Sequence, residues 1–343
     1  MRGAKGRTKE QVDCVIKNLD LITYSNIDSV FSSANAIFIQ NNYAECVRDD
    51  YKNRLMGDYA ASVIYDSFQS AKHINDWISK ETFGIIPNML SDDMIDSEET
   101  KMLLVNALAL DMEWVVSFDY TRSGEFYLSD GTSMKATTMH RECVSYYKDD
   151  AVTAVRLGLK EYENMKLEFV AIMPEKRDLS DYIMNFSKDD FDNIIENIKY
   201  SVSFTSANLN IPKFSFEYNL NFKNDLMRLG ITDVFNRELA NLSNMCDVKR
   251  ASDNLFFSDA YHKAKIDFTE AGIKAAAVTV FGAIVTASAE EKKPPIIIIN
   301  INKPFLYFIR DSFTGQILFV GTVYRPNSWA DDEASYRNQK YYF

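Results

Sequence analysis

Few residues in this chain combine in a way that could do chemistry. Five carboxylates crowd together at Asp92, Asp93, Asp96, Glu98 and Glu99, a density that would suit a hard cation or an acid–base pair. They fall between a helical pattern ending near 82 and an apolar run starting at 101, so they read as a solvated turn. His140, in MKATTMHRE, has no Ser or Cys beside it in sequence to activate. Cys14, Cys46, Cys143 and Cys246 form no CxxC pair, and His73, His140 and His262 add no metal-ligand spacing. The cysteines read as unlinked, partly buried thiols, which favours a reducing compartment. GxGxxG, P-loop, HExxH and GxSxG patterns are absent. No enzyme, metal or cofactor is expected from these residues.

The unusual chemistry lies in a stretch that could be cut or paired. Residues 275–289, AAAVTVFGAIVTASA, carry no charge and no proline, whereas surface loops favour polar and turn residues. Val278, Thr279, Val280, Ile284, Val285 and Thr286 are strand formers, and Gly272 supplies backbone freedom at the base. Every residue here can donate to a ladder, as a central strand requires. The stretch reads as a strand waiting for a sheet. Alternation would turn Ile273, Ala275, Ala277 and Thr279 to one side and Lys274, Ala276, Val278 and Val280 to the other, so no charge would be buried.

Elements that could position such a stretch are legible on both sides of it. Residues 7–22 read as a helix with Val12, Val15, Ile16 and Leu19 on one face. SSANAIFIQ (32–40) reads as a strand, 42–56 as a charged helix, and 71–82 as a helix with Ile74, Trp77 and Ile78 on a stripe. KMLLVNALALDMEW (101–114) suits a central strand buried on both faces. Strand-like runs follow in GEFYLSD, CVSYYKDD, AVTAVRLGL and KLEFVAIMP. Two helices over DLSDYIMNF and KDDFDNIIENIK come next, then a long strand over 200–214 and a helix over LNFKNDLMRLG closed by Gly230. The last third is mostly β. Helices interleaved with strands in no regular βαβ rhythm indicate α+β.

At 46% apolar content over 343 residues the chain can bury a large core, and no linker divides it. Its net charge of −11 repels phosphate, and no basic stripe offsets that, so nucleic acid is excluded as a partner. No segment reaches the roughly 18–20 apolar residues that span a bilayer, and the N-terminal MRGAKGRTKEQ is too polar for a signal peptide.

A collinear series of motifs over residues 3–326 resembles the serpin family. GAKGRTKEQV resembles the family's stretch after its second helix, SANAIFIQ (33–40) its "NAlF" strand, and INDWISKETFGIIP (74–87) the helix across its main sheet. LLVNALALDMEWVVSF (103–118) matches the strand carrying Asn106, Trp114 and Phe118. FVAIMP, NIPKFSFEYNLNFKNDLMRLGITDVF (210–235) and NLSNM follow in family order. YHKAKIDFTEAGIKAAAVT (261–279) resembles the hinge, and INKPFLYFIRDSFTGQILFVGTVYRP (301–326) the C-terminal signature.

The resemblance implies a serpin fold, with three β-sheets, about eight or nine helices and an exposed reactive-centre loop. It implies one domain over 1–326, with the family's first helix, a short strand and most of its second helix missing before it. Residues 327–343 read as a disordered tail. It further implies an inhibitor that is a suicide substrate: a serine, or alternatively cysteine, protease cuts the loop, which then inserts into the main sheet. Glu270, Gly272, Ile273, Ala275, Ala276 and Ala277 match the hinge, and Asn106, His262 and Trp114 the shutter and breach positions. Counting the family's usual loop length from Glu270 puts the scissile bond at Thr286–Ala287, with Ala287–Ser288 adjacent and Lys292 or Lys293 competing for a trypsin-like enzyme. Small residues there suit an elastase-like or subtilisin-like pocket. Ile273 and Lys274 stand where inhibitory members carry Thr or Ser and an acid, so a non-inhibitory carrier, chaperone or storage role remains the alternative. The family implies a monomer in the extracellular space; the polar N-terminus keeps the cytoplasm open.

Overall fold

A computed structural model describes residues 30–142, 144–163, 165–198, 207–247, 254–273 and 297–340 of the chain. The helix expected over 7–22 lies outside them. β1 (Phe31–Gln40) is buried along nearly all its length. The charged helix starts later than its composition suggests, as α1 (Asp49–Tyr59) with Asp49 and Asp50 in its first turn, where the helix dipole favours anions. β2 (Ala61–Asp66) was not legible; ASVIYD is short and lacks alternation. α2 (Lys72–Glu81) buries Ile74 and Ile78, one turn apart. The apolar run at 101–114 divides at Asp111 into β3 (Met102–Leu110) and the two-residue β4 (Met112–Glu113).

β5 (Tyr120–Tyr127) and β6 (Ser133–Arg141) form a hairpin, turned by Asp130, whose carboxylate accepts from Thr132 N at 2.9 Å. β7 (Ser145–Lys148), β8 (Val152–Gly158) and β9 (Leu167–Pro174) follow, the last buried at every residue. α3 (Leu179–Met184) precedes α4 (Lys188–Asn197), which opens on a capping box of Ser187 and Asp190. Within the long strand expected over 200–214, Lys213 separates β10 (Ala207–Pro212) from β11 (Phe214–Asn221). α5 (Lys223–Arg228) ends before Gly230, whose φ is 93°. β12 (Asp259–Phe268), β13 (Gly272–Ile273), β14 (Ile297–Asn300), β15 (Phe305–Asp311) and β16 (Ile317–Val323) complete the strands.

Two expectations are corrected here. The tail read as disordered forms α6 (Trp329–Lys340), with Asp331 and Asp332 in its first turn. Asp332 N donates to Ser328 O, and Asn327 Nδ2 donates to the Asp332 carboxylate, so local capping overrides a polar composition. Among the described residues the helices are also fewer than the eight or nine expected, with six α-helices and three 3₁₀ turns.

The chain forms two compact units, each built from two separated segments: 1–110 with 217–266, and 111–216 with 267–343. In the first, β1 pairs parallel with β2 and antiparallel with β3, and β3 pairs parallel with β12. One face of this sheet packs Ala36, Phe38, Leu103 and Val105 under Ile74, Ile78, Ile85 and Ile86. The other packs Ile37, Ile39 and Met102 against Tyr43, Val47 and Leu255. Cys46 and Cys246 sit in that second cluster and form a disulfide with a sequence separation of 200. This overturns the reading of unlinked thiols, which rested on spacing; a pairing over that separation leaves no local signature. Cys14 and Cys143 lie outside the described residues.

In the second unit, β14–β10–β6–β5 form a four-stranded sheet and β16–β15–β9–β8–β7 a five-stranded one. Aromatic rings fill its core: Phe268 stacks on Phe214 at 4.7 Å and lies 4.6 Å from Phe169, which stacks on Tyr307 at 5.7 Å. Such pairs add directional packing to area burial. Burial also pushes the Tyr307 hydroxyl up to about 12.

Candidate functional site: a polar seam and a strand seed

The seam is built in the first unit from residues facing one another across three strands. Asn106 on β3 is in register with Asn35 on β1 and with His262 on β12. Asn106 Nδ2 donates to Asn35 Oδ1 at 2.6 Å, and His262 Nδ1 lies 2.5 Å from Asn106 Oδ1. Since that oxygen only accepts, the imidazole must carry its proton on Nδ1. Asn35 Nδ2 in turn donates to Ser33 O and Ser33 Oγ. Burial holds the His262 pKa below its ordinary value, favouring the neutral ring that this row uses. The β3–β12 ladder is parallel and runs from Asp259↔Leu103 to Ala264↔Leu108. A polar row at such a seam is specific and strong while closed, and its groups can hydrogen-bond anew when the strands part. Asn35 was not singled out from sequence; its place in the NAIF run that carries the family resemblance was the available signal.

The seed lies in the second unit. Trp114 is buried to 1% exposure, its indole N–H donates to Thr269 O at 2.9 Å, and its backbone N–H donates to Ala271 O at 2.9 Å. Its ring meets Phe268 and Phe118 edge-on. Phe118 N donates to Glu270 O, so the hinge backbone is gripped on both sides of residue 270. Glu270 faces Lys213 Nζ at 3.3 and 3.4 Å, and both side chains are largely buried. The hydroxyl of Thr269 donates to Gly272 O at 2.8 Å.

Beyond this turn β13 pairs on both edges, Ile273 with Phe268 of β12 and Gly272 and Ile273 with Glu113 and Met112 of β4. Ile273 is 1% exposed. Gly272 earns its place by clearance, where the sequence reading assigned it backbone freedom. A Cβ built there would lie 2.1 Å from Met112 O and 2.7 Å from Glu113 Cα, and nothing short of moving β4 would relieve it. Lys213 and Thr269 were not predicted; both act through contacts that only the fold creates.

The sequence-named residues therefore fall into two groups: Asn106 with His262, and Trp114 with Glu270, Gly272 and Ile273. Ala275, Ala276, Ala277, Thr286, Ala287, Lys292 and Lys293 lie outside the described residues. Two members of the acidic cluster serve local structure: Asp92 accepts from Ala71 N at 2.8 Å, and Asp96 accepts from Glu98 N and Glu99 N. His140 is buried, stacked on Tyr120 at 4.6 Å and bonded to Asn210 Oδ1 at 3.0 Å. Among the described residues no group of three or more His, Cys, Asp or Glu could hold a metal, and no helix is long and apolar enough to cross a membrane.

With this geometry in place, comparison with known proteins gives the class. The family model described as serpin (serine protease inhibitor) matches residues 2–326. Serpin B10 of Sorex araneus is 30% identical over 317 residues, covering 87% of this chain and 73% of that protein. Leukocyte elastase inhibitor of Equus caballus is 28% identical, covering 94% of this chain and 88% of that one. Among solved structures, the thermophilic serpin tengpin in its native state superposes with a TM-score of 0.72 at 27% identity, covering 90% of this chain and 77% of that one. The chain belongs to the serpin family, and its three sheets are those of the serpin fold.

Proposed function

We propose that this serpin inhibits a serine protease, with a cysteine protease as the variant target, by acting as a suicide substrate and not as an enzyme. The observation that carries the reading is β13: Ile273 is already paired on both edges and Gly272 on one, and past Lys274 an uncharged, proline-free stretch of strand formers follows. In this reading, attack on the loop gives an acyl-enzyme, and the freed stretch then joins the main sheet by parting β3 from β12. Each inserted residue replaces water-facing backbone with ladder bonds and buries apolar surface, which supplies the drive. Asn106 and His262 form the shutter; Trp114, Glu270 and Gly272 hold the hinge, and Ala275, Ala276 and Ala277 follow it into the sheet. Residues 1–326 act as one functional domain and the protein works as a monomer.

The cut falls at Thr286–Ala287, and its small residues fit an elastase-like or subtilisin-like pocket, in keeping with a relative named leukocyte elastase inhibitor. The Cys46–Cys246 disulfide favours an oxidising compartment, and thus the extracellular space over the cytoplasm. Incubation with a protease panel should give an SDS-stable adduct, a peptide mass locating the cut, and a cleaved form that melts above the intact one. Cleavage without adduct or gain in melting temperature would sink the inhibitory reading. That outcome would instead favour a non-inhibitory carrier, chaperone or storage role, for which the departure at Ile273, a bulky side chain buried in the seed, is the supporting feature.

A further inference from the structure

Apart from hinge and seam, the four-stranded sheet holds a cavity of about 260 Å³. β5 and β14 are the opposite edges of this sheet in strand order. Yet Tyr127 N, at the end of β5, donates to Asn302 O just beyond β14 at 2.9 Å. The sheet therefore curls until its edges meet, and the cavity lies in the mouth of the roll, a common setting for ligand sites.

A polar row crosses the sheet beside this cavity. Asn300, Asn210, His140 and Tyr120 are successive register partners on β14, β10, β6 and β5. Asn210 Nδ2 donates to Asn300 Oδ1 at 2.8 Å, and Asn210 Oδ1 takes Arg122 Nη2 at 3.2 Å as well as His140 Nδ1 at 3.0 Å. Asn210, 8% exposed, thus acts as a bracket. It fixes the Arg122 guanidinium by one N–H and turns Asn300 so that its amide N–H groups remain as donors. The other lining charge, Glu125, is taken by Lys135 at 2.5 Å and by the Ser133 hydroxyl. The polar lining of the cavity is thus Arg122, held by Asn210, and Glu125, paired with Lys135, together with Ser123, Thr138, Asn300 and Asn302.

We propose that this cavity binds a small monocarboxylic acid, its carboxylate on Arg122 and a neutral polar group toward Asn300 and Asn302. A planar two-oxygen anion matches the guanidinium fork, and one cation balances one negative charge but not two. The volume holds an acid of amino-acid size, given about 30 Å³ per water displaced. Such a ligand bridges β5, through Arg122, to the segment at and beyond β14. β14 is an edge strand whose ladder among the described residues runs from Ala207↔Ile297 to Asn210↔Asn300. Occupancy therefore pins the strand that follows the loop, whatever that loop does.

N-acetylglycine is the probe. Melting curves should rise saturably with a Kd on the order of millimolar, by about 2–4 °C at full occupancy. Hydrogen exchange of the Ile297–Asn300 amides should slow in parallel. N-acetylglycinamide, which lacks the charge, and inorganic phosphate should each do markedly less. R122M should weaken binding at least ~10-fold, and N302D, which keeps the arginine but adds a carboxylate at the wall, should abolish it, with both unliganded variants melting near the wild type. No saturable response, an equal response to either control compound, or unchanged affinity in both variants would overturn the proposal.

Discussion

Asn106 is satisfied on both sides, by an amide on one neighbouring strand and an imidazole on the other, and this makes His262 sensitive to pH. Its pKa is lowered by burial, so the folded state binds a proton less readily than the unfolded chain. Stability from this group is fully present above the unfolded value of about 6.5 and falls as pH drops through it. Urea unfolding at descending pH should show this loss for the wild type and a flatter profile for H262Q. Equal slopes in the two proteins would mean that another group governs the acid limb. Truncating Asn106 to Ala should cost about 1–3 kcal/mol in the same assay, because the bonding capacity of both Asn35 and His262 is then left unused.

At the scale of elements, β13 is the smallest strand that matters. Two residues have little stability of their own, so the seed depends on the turn before it: Phe118 N on Glu270 O, Trp114 N on Ala271 O, and Thr269 on Gly272 O. Gly272→Ala should disrupt it, since its methyl collides with the Met112 carbonyl; relieving such a clash costs about 1–3 kcal/mol. Hydrogen exchange at the Ile273 amide should accelerate in that variant while β5 and β6 stay protected. An unchanged Ile273 amide would remove β13 from any role as a seed. Much of this level was legible beforehand. β1, α2, β9, α4, β12 and β15 fell where alternation, helical stripes and apolar runs put them, because those patterns are written in neighbouring residues. β2 and β6 were missed: ASVIYD is short, and SMKATTMHR mixes polar and apolar residues without a clean period.

At the scale of the molecule, the first unit is assembled from segments 1–110 and 217–266, and the Cys46–Cys246 disulfide ties the two together. Backbone bonds flank it, Arg48 N to Met245 O and Asp247 N to Cys46 O, so the crosslink staples a contact already made. Closing so long a loop removes chain entropy from the unfolded state, by up to about 5 kcal/mol in the loop-entropy picture. A non-reducing peptide map should recover the linked Cys46 and Cys246 peptides, and C46S/C246S should lower the unfolding midpoint. Alkylation of both thiols in the unreduced native protein would show that the bond is absent.

What the chain's letters determined alone is local: which stretches are strands or helices, that 275–289 has no charge or proline, and that an ordered run of motifs is that of a serpin. What tertiary structure decided is pairing. Asn35 meets Asn106 across 71 residues, Trp114 meets Thr269 across 155, and Lys213 meets Glu270 across 57. Gly272 is needed because a carbonyl from another strand passes close by. Periodicity reports which face of an element is apolar, but it holds no information about which distant element will cover that face; only closing the chain brings those partners together.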